Sequence, residues 1–240
     1  MKKDYKFLIF DADHTLLDYG KDEKSALWRT FEGIGVPPSE ELVSRAHALS
    51  EIVWTENGLY DVENPEIQKN YHRLYRSHVK EIFKRLFDEF AVTADERSAG
   101  ERFLQELTVG GAPLSGAMET LFALSEKTGG KYKIYIATNG VSDIQRGRLM
   151  DYERYYEELF ISEEVGAIKP TEAFFDKILT AIGAKKAECL MIGDSLTSDI
   201  KGAALCGIDA CWFNPSGKIN EAGANPSYEI RALTELKEIL

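Results

Sequence analysis

The run Phe7-Leu8-Ile9-Phe10, followed at once by Asp11-Ala12-Asp13, constrains the fold more than any other stretch of the chain. Four apolar residues in a row leave no polar face, so they suit a strand buried on both sides, and such strands belong to parallel sheets flanked by helices. Side chains two apart on an extended backbone point the same way. Asp11 and Asp13 therefore leave the sheet together at its carboxyl edge, where open α/β sheets bind ligands. Two carboxylates held close repel each other, so the pair calls for a cation between them or a proton on one of them. Taken alone, the stretch is equally explained as an Asp turn with Thr15 capping a helix.

The next strand pattern comes only at Lys133. From Lys21 to about Val109 the apolar residues keep helical spacing: Leu27, Phe31 and Ile34, then Leu42, Ala46, Leu49 and Val53, then a long stripe from Ile67 through Tyr71, Tyr75, Val79, Ile82, Phe83 and Leu86 to Phe90. Ala99, Phe103 and Leu107 continue the pattern. Pro37-Pro38-Ser39, Glu63-Asn64-Pro65 and Thr93-Ala94-Asp95 punctuate it, with Ser39 and Asn64 or Thr93 as N-caps. After Gly110-Gly111-Ala112-Pro113, strand and helix alternate: helix 117–127, strand 133–137, helix 144–150, strand 159–161, helix 172–182, strand 189–192, helix 197–206, strand 210–213 and a terminal helix 233–240. These are βα repeats of a parallel sheet.

A βαβ crossover takes about 30 residues. The helical block between the first strand and Lys133 is therefore an insertion, rooted at the carboxyl edge and placed like a lid. The expected organisation is a parallel α/β core from 1–17 and 111–240 with an all-helical domain from 18–110.

Composition excludes several function classes. Lys and Arg number 29 against 40 Asp and Glu, a net charge of −11. That balance argues against binding nucleic-acid polymers or an anionic membrane surface, both of which need a basic face. No apolar run approaches the length of a membrane span, and Met1-Lys2-Lys3-Asp4 does not open an export signal, so a cytoplasmic protein is expected. Three cysteines, without paired short spacing, provide neither a disulfide framework nor a zinc site. Cys189, Cys206 and Cys211 lie in apolar or helical patterns and read as small core residues. No Gly-rich nucleotide-binding run follows a strand.

Three further polar signals stand at later strand ends. Thr138-Asn139-Gly140 offers a hydroxyl and loop N–H groups to an oxyanion, or is simply a turn before a helix. Lys169 precedes Pro170 and either reaches over the sheet edge or is a solvated lysine. In Gly193-Asp194-Ser195-Leu196-Thr197-Ser198-Asp199, Gly193 permits a sharp exit and Asp194 stands at the strand tip. Asp199 lies one turn on, placed to bond Lys169 or a metal-bound water, although helix N-terminal carboxylates are also common caps.

As a set, Asp11-x-Asp13-x-Thr15, Thr138, Lys169 and Gly193-Asp194-x4-Asp199 resemble the four motifs of the haloacid dehalogenase (HAD) superfamily, and the helical insertion stands where that superfamily carries its C1-type cap. Ala137-Thr138-Asn139-Gly140, Ile161-Ser162-Glu163-Glu164-Val165-Gly166 through Lys169-Pro170, and Cys211-Trp212-Phe213-Asn214-Pro215 further resemble its pyrimidine 5′-nucleotidases. The resemblance implies a Rossmann-like core and Mg²⁺-dependent hydrolysis of small phosphate monoesters, nucleoside 5′-monophosphates in particular. Asp11 would attack phosphorus and form an aspartyl-phosphate, and Asp13 would serve as acid and then base. Mg²⁺ would be held by Asp11, the Asp13 carbonyl and Asp194. Thr138, the Asn139 N–H and Lys169 would take the phosphate oxygens, with Asp199 orienting Lys169.

His14 falls in a variable slot of the first motif, and Thr15 would stabilise its turn. Among the aromatics of the helical block, Trp28, Trp54, Tyr60 and Tyr71, Trp54 is the residue taken to stack on a base. Arg73 or Arg76 would touch ribose or base, or simply face solvent. His47, His72 and His78 read as surface or interhelical residues. Two rival readings remain: a sugar-phosphate phosphatase or phosphomutase on the same scaffold, and a noncatalytic protein that uses the helical block as a partner surface. A 2-haloacid dehalogenase would have no use for Asp13 or Asp194.

Overall fold

In the computed structural model, which describes residues 3–240, Phe7–Phe10 forms strand β1. Met1 and Lys2, part of the segment inspected for an export signal, lie outside the described residues. Leu8 and Phe10 enter one apolar cluster with Leu121, Ile134, Ile136 and Ile192, while Ile9 enters another with Tyr135, Phe174, Phe175 and Met191. Both faces of β1 are thus dry, which is why its sequence shows no alternation. The other strands are β2 (Lys133–Thr138), β3 (Glu158–Ile161), β4 (Cys189–Gly193), β5 (Asp209–Phe213) and β6 (Tyr228–Ile230). They form one parallel sheet in the order β3-β2-β1-β4-β5-β6.

Strand β6 has no counterpart in the sequence expectation. It is a three-residue edge strand of which only Ile230 is buried, too short to show a period. From β1 the chain builds outward through β2 and β3, then returns to the other side of β1 with β4, so the order reverses between β1 and β4. Phe10 pairs with both Ile136 and Ile192, which places Asp11 at that reversal.

The helices are α1 (Tyr19–Gly33), α2 (Glu40–Glu56), α3 (Pro65–Phe90), α4 (Glu96–Leu107), α5 (Ala117–Leu124), α6 (Ser142–Leu149), α7 (Ser162–Val165), α8 (Glu172–Ile182), α9 (Gly202–Leu205) and α10 (Leu236–Ile239). Three expected helices are shorter than their patterns, the terminal one over 233–240 being a 3₁₀ turn at Leu233–Glu235 followed by α10. The first of these, α5, stops at Leu124 and a 3₁₀ turn occupies Glu126–Thr128. Instead of one helix over 197–206 there is a π-helical segment at Leu196–Lys201 ahead of α9. All three cysteines are buried and unpaired. Among the described residues no helix is long and apolar enough to cross a membrane.

The chain divides into two compact units. A sheet unit holds Met1–Asp18, Pro113–Ser142 and Leu149–Leu240; a helical unit holds Tyr19–Ala112 and Asp143–Arg148. Within the helical unit α1 packs on α4 and α2 on α3. Phe31, Phe83, Phe87 and Phe103 fill its interior, with Phe83 meeting Phe31 and Phe103 edge-on. Ser39 accepts the Leu42 N–H at 3.2 Å and Asn64 the Glu66 N–H at 3.0 Å. The third N-cap is Asp95, which accepts the Ser98 N–H at 2.7 Å, rather than Thr93.

The middle of α6 belongs to the helical unit for a physical reason. Arg148 is fully buried and donates from Nε to Asp22 Oδ2 at 2.9 Å, with Nη1 on Gln145 at 3.1 Å. Its guanidinium also lies 5.2 Å from the Tyr19 ring centroid. The Asp22 carboxylate accepts the Gly111 and Ala112 N–H groups at 2.9 and 3.0 Å as well. A side chain on residue 147 would place Cβ 2.3 Å from the Thr108 carbonyl oxygen, so Gly147 is what lets α6 lie so close to that segment.

Candidate active site

Asp11 continues the β1 ladder by one residue, its N–H donating to the Ile192 carbonyl at 2.8 Å, so its side chain starts where the sheet ends. The carboxylate is buried, and Oδ1 accepts from Lys169 Nζ at 2.5 Å. The same ammonium donates to Asp199 Oδ1 at 2.6 Å and to the Ala137 carbonyl at 2.8 Å, so its three donors meet three acceptors. Asn139 fixes the Lys169 backbone from both sides: Oδ1 accepts its N–H at 2.8 Å and Nδ2 donates to its carbonyl at 2.9 Å. The loop after β2 is braced in turn by Ser162, whose Oγ accepts the Gly140 N–H at 3.0 Å.

The tip of β4 is built as tightly. The Asp194 N–H donates to Thr15 Oγ1 at 3.1 Å, and the Asp194 carbonyl accepts the Trp212 indole N–H at 3.0 Å. Thr15 Oγ1 lies 3.4 Å from Asp11 Oδ2, so one buried hydroxyl joins the first and last sequence signals. Asp199 Oδ2 accepts the Ser195 N–H at 3.1 Å. A Cβ on residue 193 would stand 2.2 Å from that Oδ2. Gly193 is thus required for the close approach, and the π-helical turn carries Asp199 back toward the strand.

Acid outweighs base here. One oxygen each of Asp11, Asp194 and Asp199 lie within 4.8 Å of one another. Burial pushes Asp11 up to about 7, against the pull of Lys169 and with the help of Asp199 and Asp13. Burial and then Asp11 push Asp194 up to about 6, while His14, Lys169 and Lys218 work against the rise. Burial disfavours the Lys169 ammonium, but Asp11 and Asp199 outweigh it and hold its pKa above the ordinary lysine value.

A family model for haloacid dehalogenase-like hydrolases matches residues 5–207. The chain belongs to that family. Over 239 residues it is 36% identical to the pyrimidine 5′-nucleotidase PynA of Streptococcus pneumoniae, covering 98% of this chain and 95% of the relative. It is 30% identical to the pyrimidine 5′-nucleotidase YjjG of Escherichia coli, with 98% of each covered. Among solved structures, the HAD-hydrolase YfnB of Bacillus subtilis bound to magnesium superposes with a TM-score of 0.82 at 32% identity, covering 99% of each chain.

The donor set of this HAD-like hydrolase suits a hard divalent cation. Among the described residues the cluster offers carboxylate oxygens, which fits Mg²⁺ and not a soft metal. Asp11, raised by burial and then by Asp199 and Asp13, and Asp194, raised by burial and then by Asp11, are the groups that a cation would relieve. Asp199 is already engaged by Lys169 and by the Ser195 N–H.

The remaining sequence candidates are placed as follows. Thr138 is buried at the end of β2, and Asp13 is half-buried one residue before His14, whose φ of 62° carries the turn through the left-handed region. Trp54 is half-buried, with the rings of Tyr60, Tyr71, Tyr75 and His78 roughly perpendicular to it. Arg73 and Arg76 are exposed, Arg73 donating to Asn70 and Arg76 lying 3.8 Å from Asp143. Four parts were missed by sequence reasoning: the Thr15 link to Asp194, the Asn139 side-chain clamp, the Trp212 indole and the Gly193 approach. Thr15, Asn139, Gly193 and Trp212 each sit within a stretch singled out in the sequence, but these particular contacts have no local signal.

Proposed function

We propose that this hydrolase cleaves small phosphate monoesters, nucleoside 5′-monophosphates among them, through a covalent phosphate on Asp11. One observation carries the reading: a buried carboxylate at the tip of the central strand, held 2.5 Å from the Lys169 ammonium and within reach of Asp194 and Asp199. The similarity to two pyrimidine 5′-nucleotidases supports the nucleotide class.

In this reading Asp11 attacks phosphorus, and the bond to the leaving oxygen breaks as Asp13 gives that oxygen a proton. The ionised Asp13 then takes a proton from the water that hydrolyses the aspartyl-phosphate, which restores both residues. Lys169, Thr138 and the Asn139 N–H bind the equatorial oxygens, where charge is spread in the transition state. Asp199 acts through Lys169, keeping the ammonium charged and aimed. Mg²⁺ would be held by Asp11, the Asp13 carbonyl and Asp194, and when bound it would neutralise repulsion between carboxylate and phosphate. Trp54 is the residue we take to stack on the base of the leaving group. We place the enzyme in the cytoplasm, in keeping with three unpaired cysteines.

The test is hydrolysis of p-nitrophenyl phosphate and of uridine 5′-monophosphate with Mg²⁺, by the wild type and by Asp11→Asn. Turnover that survives the substitution removes Asp11 as nucleophile, and a wild type inactive on both esters removes the phosphatase reading.

A further inference from the structure

One device recurs at the carboxyl edge of the sheet. After β2, the Asn139 side chain accepts the Lys169 N–H and donates to the Lys169 carbonyl. After β5 an asparagine again holds a lysine from both sides: Asn214 Oδ1 accepts the Lys218 N–H at 2.8 Å, and Nδ2 donates to the Lys218 carbonyl at 3.0 Å. Asn214 is 2% exposed, and each of its polar groups is committed. Its N–H donates to the Ile230 carbonyl at 2.8 Å, its carbonyl accepts the Gly217 N–H at 3.2 Å, and Nδ2 also donates to Glu229 at 2.7 Å. A buried amide needs all of these partners, so the segment 214–218 is held in one conformation.

The lysine so anchored stands beside the site. Asn214 directly follows β5, which pairs with β4, and Trp212 of β5 donates its indole N–H to the carbonyl of Asp194 at the β4 tip. The charge of Lys218 is felt there, since it is among the cations that oppose the rise of the Asp194 pKa. The two clamped lysines differ in one respect. Lys169 is buried with its three donors taken by Asp11, Asp199 and the Ala137 carbonyl, whereas Lys218 is exposed. A phosphate dianion approaching this chain meets a net charge of −11 and a site richer in carboxylate than in ammonium. Fixed cations at the rim of such a site reverse the local field and raise the rate at which anions arrive.

We propose that Lys218, fixed by Asn214 at the carboxyl edge of β5, is an outer capture residue for the phosphate dianion of the substrate, drawing it to the Asp194 side of the site before Lys169 and Thr138 take hold of it. The inference rests on the reading of the chain as a phosphatase and deepens it, and every group it invokes belongs to the sheet unit. The attraction acts on the phosphate before and during transfer alike. Interactions of that kind lower KM and leave kcat where it was. A clamp that served only to close the turn would need the backbone of residue 218 and not its charge.

The experiment measures kcat and KM for p-nitrophenyl phosphate with the full-length enzyme and Mg²⁺, at low salt and again with added salt. Lys218→Gln keeps the backbone that Asn214 grips and removes the charge. Its KM at low salt should rise by about 3- to 10-fold with kcat unchanged, the loss of one ammonium's attraction for a dianion across a partly solvated gap. The inhibition constant of inorganic phosphate should rise by the same factor, the difference from wild type should shrink as salt is added, and Lys218→Arg should restore the wild-type KM. Lys133→Gln removes the same unit of charge at the other end of β2 and should leave KM where it was. An unchanged KM in Lys218→Gln, a fall in kcat in place of a rise in KM, or an equal rise in Lys133→Gln would overturn the inference. If the wild type cleaves no ester, the phosphatase reading fails by itself, and calorimetric titration with inorganic phosphate and Mg²⁺ decides the role of Lys218. Weaker binding in Lys218→Gln that Lys218→Arg recovers upholds it as a capture residue; equal binding by wild type and Lys218→Gln, or none by the wild type, overturns it.

Discussion

The sheet unit and the helical unit both bury charge, and they do so for different ends. In the sheet unit Asp11, Lys169 and Asp199 come from separate chain segments and meet at the edge of one sheet, leaving more carboxylate than the single ammonium can balance. In the helical unit the buried charges are matched one to one, Asp22 with Arg148 and Glu23 with His47. An unbalanced cluster asks for a further cation and for an anionic substrate to share it with. A balanced pair holds elements together or aims a side chain. The comparison teaches where turnover and where integrity should fail when a charge is removed.

The largest expected effect follows from the unbalanced cluster. Asp11→Asn keeps the shape of the side chain and leaves Lys169 paired with Asp199, so the melting temperature should move little while turnover falls by about 10⁴-fold or more. Phosphatase assays beside a thermal melt check both halves. Arg148→Met is the converse. It strands the Asp22 carboxylate among buried groups, and breaking a buried pair by removing one partner costs about 3–5 kcal/mol. Denaturant unfolding should show that loss, and a midpoint unchanged from wild type would mean that the Asp22–Arg148 pair does not hold the helical unit together.

Gly193→Ala tests the sheet unit through packing. Its Cβ would collide with Asp199 Oδ2, 2.2 Å away, and that oxygen belongs to a carboxylate which cannot leave without abandoning Lys169. We expect a stability loss near the upper end of overpacking penalties, about 3 kcal/mol, together with reduced kcat as Lys169 shifts. A variant with normal kcat would show that the Asp199 contact does not position Lys169.

How much could be read beforehand divides along the same line. Strand tips follow from local pattern: an apolar run ends, a polar residue follows, and topology brings the tips together. Asp11, Lys169, Asp194 and Asp199 each had a plain local alternative, and it was the resemblance of the whole set to the motifs of one superfamily that joined them, whereas the parallel sheet followed from the strand pattern itself. Arg148 and Asp22 lie 126 residues apart, and no local period announces such a pair. His47 reads as a surface or interhelical residue and nothing in the sequence singles out Glu23, because helical periodicity states which face is buried and says nothing of which polar side chain is buried with it. Strand β6 escaped notice because three residues carry no period, and the π-helical turn at Leu196–Lys201 holds an Asp199 bonded to Lys169, 30 residues away, a contact that no local period announces.

The smallest effect probes a neutral buried group in the helical unit. Burial lowers the pKa of His78 from 6.5 to about 4, against the hydrogen bond of its Nδ1 with the Tyr75 carbonyl. Its folded pKa is depressed, so between those values the unfolded chain binds a proton that the folded chain refuses. Stability is therefore full above about 6.5 and is lost as pH falls toward 4, by about 2 kcal/mol between pH 7 and pH 5. Other acids of the protein titrate over the same range, so the measurement is a difference of differences: unfolding free energies of wild type and His78→Phe at both pH values. Phenylalanine keeps a ring beside Trp54 and Tyr75 and has no proton to take up, so the wild type should lose about 2 kcal/mol more than the variant on acidification. Parallel slopes would mean that His78 is reached by solvent protons in the native state. The aromatic cluster that props Trp54 would then be looser than a site for a flat base requires.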